Sequence, residues 1–452
     1  MNSGEHRGRP TGGHTSVGQG EAMQTGLFRV LDKALFIVIL LRCSDATHLL
    51  FPNSPHMGAG DSNRGVLFAS LVLFSIGLAA CLPSVPEILE IARRFKSLAL
   101  LIVLPAVSAL WSYNAGYTAR RSAWLLALAA IALHLGSRCS LQTQISLTVT
   151  TVVFALLSSI AYATVHPGDA FLGGAFRGIF PAKHPLGLLA AIGILGFWCN
   201  CGRSWPSRGC GIAFCAACLL LSRYVAPLIC VLIALPLTPV LRAVWSSMRW
   251  RFALLFLFVA TIAVPLLLLL LWKLPEVTAF FGKEVTLTGR TDAWGIVLAA
   301  LRDRPFLGHG WGSFWNFEFN NPIASRGLQW HPAHSHNAYL EVALDFGALG
   351  ASIFVAACFT LVRHALGFAA RPSRMCEWPL AITVFALCLG VAESMMLDMS
   401  AVWFLCLVTA AHVVKQHGTA GLKLRPNARG FRLTPRGEEP RGEGSASIAC
   451  NR

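Results

Sequence analysis

Charge is scarce in this sequence. Asp, Glu, Lys and Arg make up 13% of its 452 residues, where a soluble domain carries about 25%. Hydrophobic residues make up 55% and the mean hydropathy is +0.59. Such a chain is excluded as a soluble globular domain. It reads as a polytopic membrane protein whose helices pack on one another in lipid, each span needing about 20 mainly apolar residues. Acid is scarcer still, with 21 Asp and Glu against 37 Lys and Arg and a net charge of +16. In a soluble chain that excess would suggest nucleic acid. Here the basic residues fall in short connections between apolar runs and in the C-terminal tail, where they set topology, so no nucleic-acid partner is expected.

Two further absences narrow the reading. Residues 1–25 contain no apolar run and lack the charged, apolar and small-residue layout of a cleaved signal; a disordered cytoplasmic leader is expected. The polar stretch 274–337 contains no cysteine although the chain has 14, so packing rather than disulfides must order it. Cys215 and Cys218 form a C-x-x-C spacing inside an apolar run, where they read as small apolar residues and not as a redox pair.

Apolar runs are abundant. They lie at Gly26–Arg42, Gly65–Leu82, Ser97–Trp111, Ser122–Gly136, Thr143–Val165, Pro185–Cys199, Cys210–Ser222, Ala226–Leu241, Phe252–Leu271, Tyr339–Leu361, Trp378–Met396 and Ala401–Val414, giving about twelve transmembrane helices. Arg93, Arg94, Lys96, Arg138, Arg203, Arg208, Arg242, Arg249, Arg251, Arg363, Arg371 and Arg374 then share one side, the cytoplasmic one by the positive-inside rule. The expected fold is an all-α polytopic membrane protein: a bundle over residues 26–414, one large periplasmic loop at 274–337 carrying short interfacial helices, and a basic disordered cytoplasmic tail at 415–452.

Against the charge trend, Arg120, Arg121, Arg177, Arg223, Arg290, Arg302, Arg304 and Arg326 fall on the outer side. Such cations need a reason, either lipid phosphate at the interface or a ligand. Arg290 immediately precedes a helix predicted to run to about Arg302, capped by Thr291 or Asp292 and stopped by Pro305. A phosphate suits that helix end and guanidinium together. Trp294, Val297, Leu298 and Leu301 form the predicted inward stripe. The glycine-interrupted aromatics Phe306, Trp311, Phe314, Trp315, Phe317 and Phe319 fit either an interfacial anchor or sugar-stacking platforms. His331, His334 and His336 make an H-x-x-H-x-H cluster, but no cysteine joins them and Pro332 interrupts helical spacing; no metal or other cofactor is assigned. His336, just ahead of the run starting at Tyr339, suits a general base because a helix N-terminus disfavours the imidazolium. Glu341 and Asp345 are competing bases.

Several segments together resemble the O-antigen ligase and O-antigen polymerase family. They are Leu287-Thr288-Gly289-Arg290-Thr291-Asp292-Ala293-Trp294, Arg304-Pro305-Phe306-Leu307-Gly308-His309-Gly310, His336-Asn337-Ala338-Tyr339-Leu340-Glu341 and Phe346-Gly347-Ala348-Leu349-Gly350. Upstream, Trp111-Ser112, Phe176-Arg177-Gly178-Ile179-Phe180, Lys183-His184-Pro185-Leu186-Gly187 and Leu221-Ser222-Arg223 continue the likeness in order. Phe314-Trp315 looks most like the exopolysaccharide polymerase branch, and Pro185 departs from an asparagine common in the family.

The resemblance implies a glycosyltransferase that moves a glycan from undecaprenyl pyrophosphate to a hydroxyl of another lipid-linked repeat or of a lipid A core. It implies catalytic roles for His336, Arg290 and Arg223, and substrate contacts from Arg177, Lys183, Arg120, Trp294, Trp315, Asn337 and Glu341. Membrane lipids and a chain-length co-polymerase are the further partners to consider. A lipid-linked oligosaccharide flippase is the alternative from another class, although no paired repeats are seen; transfer to a protein acceptor is the second alternative.

Overall fold

The computed structural model describes residues 15–46, 64–247, 290–317 and 334–423. The expected span Phe252–Leu271 and residues Phe319, Arg326 and His331 lie outside the described residues. The chain divides into two units, Met1–Lys415 and Gln416–Arg452. All that follows concerns the first.

The described chain is mostly helical. Its elements are α1 (Thr15–Arg42), α2 (Arg64–Cys81), α3 (Val85–Arg94), α4 (Lys96–Val107), α5 (Ala115–Arg138), α6 (Leu141–Val165) and the single turn α7 (Pro167–Ala170). A two-stranded hairpin, β1 (Phe171–Leu172) and β2 (Ala175–Phe176), precedes α8 (Lys183–Cys199), α9 (Trp205–Leu221) and α10 (Val225–Ser247). The remainder is α11 (Arg290–Asp303), α12 (Ser313–Phe317), α13 (Ala338–Ala369), α14 (Trp378–Leu389) and α15 (Ala401–Lys423). Four stretches are long and apolar enough to cross a membrane: Arg64–Arg94, Leu141–Val165, Val225–Trp245 and Ala338–Ala369. Shorter apolar helices accompany them at Lys96–Leu110, Lys183–Cys199, Trp205–Leu221 and Ala401–Gln416. The architecture is that of an all-α membrane protein.

Several boundaries differ from those read in the sequence, among them the starts of α5 (Ala115 for Ser122) and α9 (Trp205 for Cys210) and the ends of α10 (Ser247 for Leu241) and α13 (Ala369 for Leu361); three more bear on the site or on the expected termini. α1 starts at Thr15, inside the expected leader, and α15 runs to Lys423, inside the expected tail. The third difference is central to the site: α14 stops at Leu389, seven residues short of Met396, and residues 390–400 are irregular.

Helices that are apolar all round belong in the interior. α8 is such a helix, with Leu189, Ala190, Ala191 and Ile192 fully buried between α6 and α9. A Cβ at Gly193 would come within 2.7 Å of Cys215 and 2.8 Å of Val152, so glycine there sets the distance between helices, as small residues do in lipid. α2 and α10 instead present Phe68, Ile76 and Leu232 outward, as lipid-facing helices would.

The two ends of the bundle differ in kind. One end is basic and paired: Lys415 meets Glu87 and the Ser137 carbonyl, Arg242 meets Glu377, and Arg374 lies over Trp198. The other end gathers the non-helical segments 111–114, 171–182, 222–224, 304–312, 334–337 and 390–400. There α13 is broken at Gly347, whose φ of +63° is a left-handed conformation suited to glycine. The loop 304–312 fills the break. Ala348 and Leu349 donate to the carbonyls of Pro305 and Phe306 at 2.8 and 3.2 Å, and His309 and Gly310 donate to Leu344 and Asp345, both at 2.9 Å.

Candidate active site

Asn337 organises the entry to α13. Its Oδ1 accepts from the N–H groups of Tyr339 and Leu340 at 3.0 and 3.1 Å, which is how a short polar side chain caps a helix. Its Nδ2 donates to the Val391 carbonyl at 3.2 Å and its backbone N–H to Ser394 Oγ at 3.1 Å. Ala338 N–H donates to the Gly390 carbonyl at 2.7 Å. These bonds explain why residues 390–400 need not be helical: irregular backbone is tolerated in an apolar bundle where protein satisfies its polar groups. A third segment, the Ser222–Tyr224 turn between α9 and α10, holds Arg223 at φ +51°.

Glu393 is where the three segments meet. It is 4% exposed, with Oε1 2.9 Å from Arg290 Nη2 and Oε2 3.1 Å from His336 Nδ1. Arg290 Nη1 also donates to the Ala392 carbonyl at 2.7 Å. The guanidinium therefore grips both the carboxylate and the backbone beside it. Tyr224, itself buried, faces the same carboxylate, though its hydroxyl is outside strict hydrogen-bond geometry.

The charge state of this cluster follows from its contacts. Burial works to raise the Glu393 carboxyl, but His336, Arg290 and Tyr224 together prevail and hold it down to about 2. Glu393 is therefore an anion that only accepts hydrogen bonds. The hydrogen of the His336 pair must sit on Nδ1, and a neutral ring then carries its lone pair on Nε2. His336 is held at φ +54°, a conformation that costs a non-glycine residue about 1–3 kcal/mol and persists where the surroundings impose it. Its N–H donates to His334 Nδ1 at 3.2 Å and the two rings lie 4.1 Å apart. Burial, aided by His336, pushes His334 down to about 4, so His334 is neutral near pH 7 and free to accept that bond.

Of the residues singled out in the sequence, Arg290 and His336 are brought together on one carboxylate. Arg290 is the first residue of α11 rather than its predecessor, and Glu393 already engages its charge. Arg223 is exposed; its guanidinium lies over Gly174 in the hairpin turn, where a Cβ would sit 3.2 Å from Nη1. Its backbone N–H donates to the Leu220 carbonyl at 3.0 Å, and among the described residues its guanidinium has no hydrogen-bond or ion-pair partner. Lys183 is the first residue of α8, and the ring of His184 beside it lies 4.6 Å from Tyr224. Arg177 is engaged with backbone, donating to the carbonyls of Asp169 at 2.6 Å and Pro181 at 3.1 Å. Arg120 is exposed over the Tyr117 ring, whereas its neighbour Arg121 turns inward, 3.2 Å from Asp398 and over the Trp311 ring.

Burial corrects the reading of three residues of the aromatic segment, whereas Phe306 is 75% exposed, as an interfacial anchor would be. Trp311, Phe314 and Trp315 are 4%, 2% and 7% exposed, so they are neither an interfacial belt nor open sugar platforms. Phe314 and Trp315 pack with Ala293, Val297, Ala300 and Leu344. The buried face of α11 is thus Ala293, Val297 and Ala300, an i, i+4, i+7 row of small side chains that lets it approach α13; Leu298, expected inward, is exposed. Trp294 Nε1 donates to the Ser335 carbonyl at 2.9 Å and Trp315 Nε1 to Glu341 Oε1 at 3.0 Å. Glu341 Oε2 accepts from Ser335 N–H at 2.6 Å, and Asp345 Oδ1 from Gly312 N–H at 3.0 Å. The two carboxylates weighed as rival bases are therefore engaged in holding loops.

Glu393, Tyr224 and Asp398 were not selected from the sequence. Glu393 did leave a signal, an acid inside a run long enough to read as a span, and an ionisable residue in such a place is a functional candidate by default.

Comparison with known proteins bears on this geometry. Residues 209–355 match the family model described as O-antigen ligase. That is the family the sequence resembles. The chain is also 25% identical over 217 residues to the exopolysaccharide production protein ExoQ of Rhizobium meliloti (strain 1021), covering 43% of this chain and 48% of ExoQ. The match therefore spans about half the length of that curated relative. The O-antigen ligase segment contains Arg223, Arg290 and His336; Glu393, Arg121 and Lys183 lie outside it.

Proposed function

We propose that this chain is an inner-membrane glycosyltransferase of surface-polysaccharide synthesis, a polymerase or ligase that moves a glycan from undecaprenyl pyrophosphate to an acceptor hydroxyl. The acceptor is another lipid-linked repeat or a lipid A core, and the site faces the periplasm. The observation that carries the reading is the convergence of His336 and Arg290 on buried Glu393, with Tyr224 against the same carboxylate and exposed Arg223 next to it in sequence. The basic character of the opposite end supports the orientation.

Each group then has a task. Glu393 holds His336 with its lone pair on Nε2, which takes the acceptor hydroxyl proton as the acceptor oxygen bonds to the anomeric carbon. The bond from that carbon to the pyrophosphate oxygen breaks, and its electron pair leaves with undecaprenyl pyrophosphate. Arg223 and Lys183 receive the growing negative charge, and Arg290 adds to the positive field while fixing Glu393. A pyrophosphate is already a capable leaving group, so metal independence is part of the proposal. A single displacement inverts the anomeric centre.

Purified protein supplied with lipid-linked repeats and acceptor tests this. Transfer is expected, with His336→Ala lowering turnover about 10²- to 10⁴-fold while donor binding persists. Undiminished turnover in that variant would refute the base assignment. Movement of the lipid-linked glycan across vesicles without transfer would refute the enzyme and favour a transporter.

A further inference from the structure

A second surface, far along α13 from the site, has the features of a lipid pocket. α4 and α13 pack antiparallel, with Ser97 Oγ 3.2 Å from Thr360 Oγ1 and the Phe95 and His364 rings 4.5 Å apart. On α4, Lys96, Leu100, Val103 and Val107 recur at i, i+4, i+7 and i+11; on α13, Val355, Phe359 and Arg363 recur at i, i+4 and i+8. Both spacings make one face of a helix. Each row lies on the same rotational side of its own contact residue, and in an antiparallel pair that places both rows on one side of the seam.

These rows are open. Leu100 and Val103 are 59% and 47% exposed, Val355 and Phe359 64% and 69%. Each row ends in an exposed cation at the basic end of the bundle, Lys96 on α4 and Arg363 on α13. Among the described residues no carboxylate pairs with either; Arg363 shares one nitrogen with the His364 ring at 3.0 Å. From Lys96 to Val107 the helix rises about 16 Å, about half the roughly 30 Å hydrocarbon thickness of a bilayer. The part of the rows that adjoins the cations is thus about one leaflet deep, and the open face continues beyond it to Leu110 and Leu349, 86% and 46% exposed.

The structure assigns this seam to an anionic phospholipid of the leaflet at that end, its acyl chains along the two rows and its phosphodiester between Lys96 and Arg363. Charge decides against a zwitterionic lipid, because two uncompensated cations favour a net negative headgroup.

The test uses the full chain purified from vesicles of equal phosphatidylglycerol and phosphatidylcholine, with retained lipid counted by native mass spectrometry. Phosphatidylglycerol should be enriched. Lys96→Gln with Arg363→Gln should weaken its retention about thirtyfold, whereas Arg203→Gln at the same end should leave it unchanged. Equal retention of both lipids by the wild type, or unchanged phosphatidylglycerol in the double variant, overturns the assignment. Should the double variant fail to fold, a photoreactive phosphatidylglycerol on wild-type protein decides: adducts confined to 96–107 and 355–363 support the seam, and adducts elsewhere overturn it.

Discussion

Replacing Glu393 by glutamine keeps the shape of the side chain and removes its charge, and two losses follow. The first is structural. Arg290 loses an ion partner at 2.9 Å whose side chain is 6% exposed, and removing one member of a buried pair costs about 3–5 kcal/mol. Arg290 is itself 22% exposed and keeps the Ala392 carbonyl, so the lower figure, about 3 kcal/mol, is expected. The second loss is chemical. Glutamine can donate to His336 Nδ1, which moves the ring hydrogen to Nε2 and removes the acceptor; where a catalytic histidine loses a carboxylate in this way the rate falls by up to about 10⁴. Glycan transfer, donor binding and thermal unfolding in detergent should be measured for wild type, Glu393→Gln and Glu393→Asp. Glu393→Gln should lower transfer about 10²- to 10⁴-fold and unfold earlier, and Glu393→Asp should recover part of the rate. Wild-type transfer by Glu393→Gln, alongside loss of transfer in His336→Ala, would refute the pairing argument.

Other outcomes follow from packing and ionisation. Gly310 sits at φ +87°, and a Cβ there would lie 2.5 Å from the Ser112 Cα; Gly310→Ala should cost about 2 kcal/mol or more in thermal unfolding. Gly295, exposed on α11 with nothing within 4 Å of its missing Cβ, should instead gain about 0.5–1 kcal/mol on mutation to alanine. His334, held down to about 4 by burial, titrates near 6.5 when unfolded. Between those values the unfolded chain binds the extra proton, so the stability contributed by neutral His334 is present above 6.5 and lost as pH falls toward 4. Acidification from pH 7 to 5 should cost no more than about 2 kcal/mol through this group, and His334→Gln should flatten that part of the unfolding profile.

Several helix starts were legible because apolar runs with basic connections are a property of neighbouring residues. Tyr339 and Thr143 fell within two residues of the helix starts at Ala338 and Leu141. Arg290 and His336 were legible for another reason: a cation on the outer side and a histidine ahead of a helix each break a local pattern. Their meeting point was not legible. Glu393 lies 103 residues from Arg290 and 57 from His336, and no periodicity links such distances. The apolar run to Met396 also disguised the end of α14 at Leu389, because hydropathy cannot tell a helix from irregular backbone satisfied by the Asn337 cap. Trp315 and Leu298 failed for a related reason: whether an aromatic or a leucine faces outward depends on what packs against α11, and the small Ala293 and Ala300 settled that face.

The break in α13 at Gly347 has a mechanical meaning. Four backbone bonds from the helix ends at the break run to residues 305–310, so the loop is spliced into the helix as a missing length of its ladder. A splice transmits rather than yields: a push on this loop would be felt as torsion along α13, down to the Arg363 end. It also fixes length, since one residue added between Pro305 and Gly310 would put two pairs of bonds out of step. The loop is therefore built to hold its place and not to swing aside as a door.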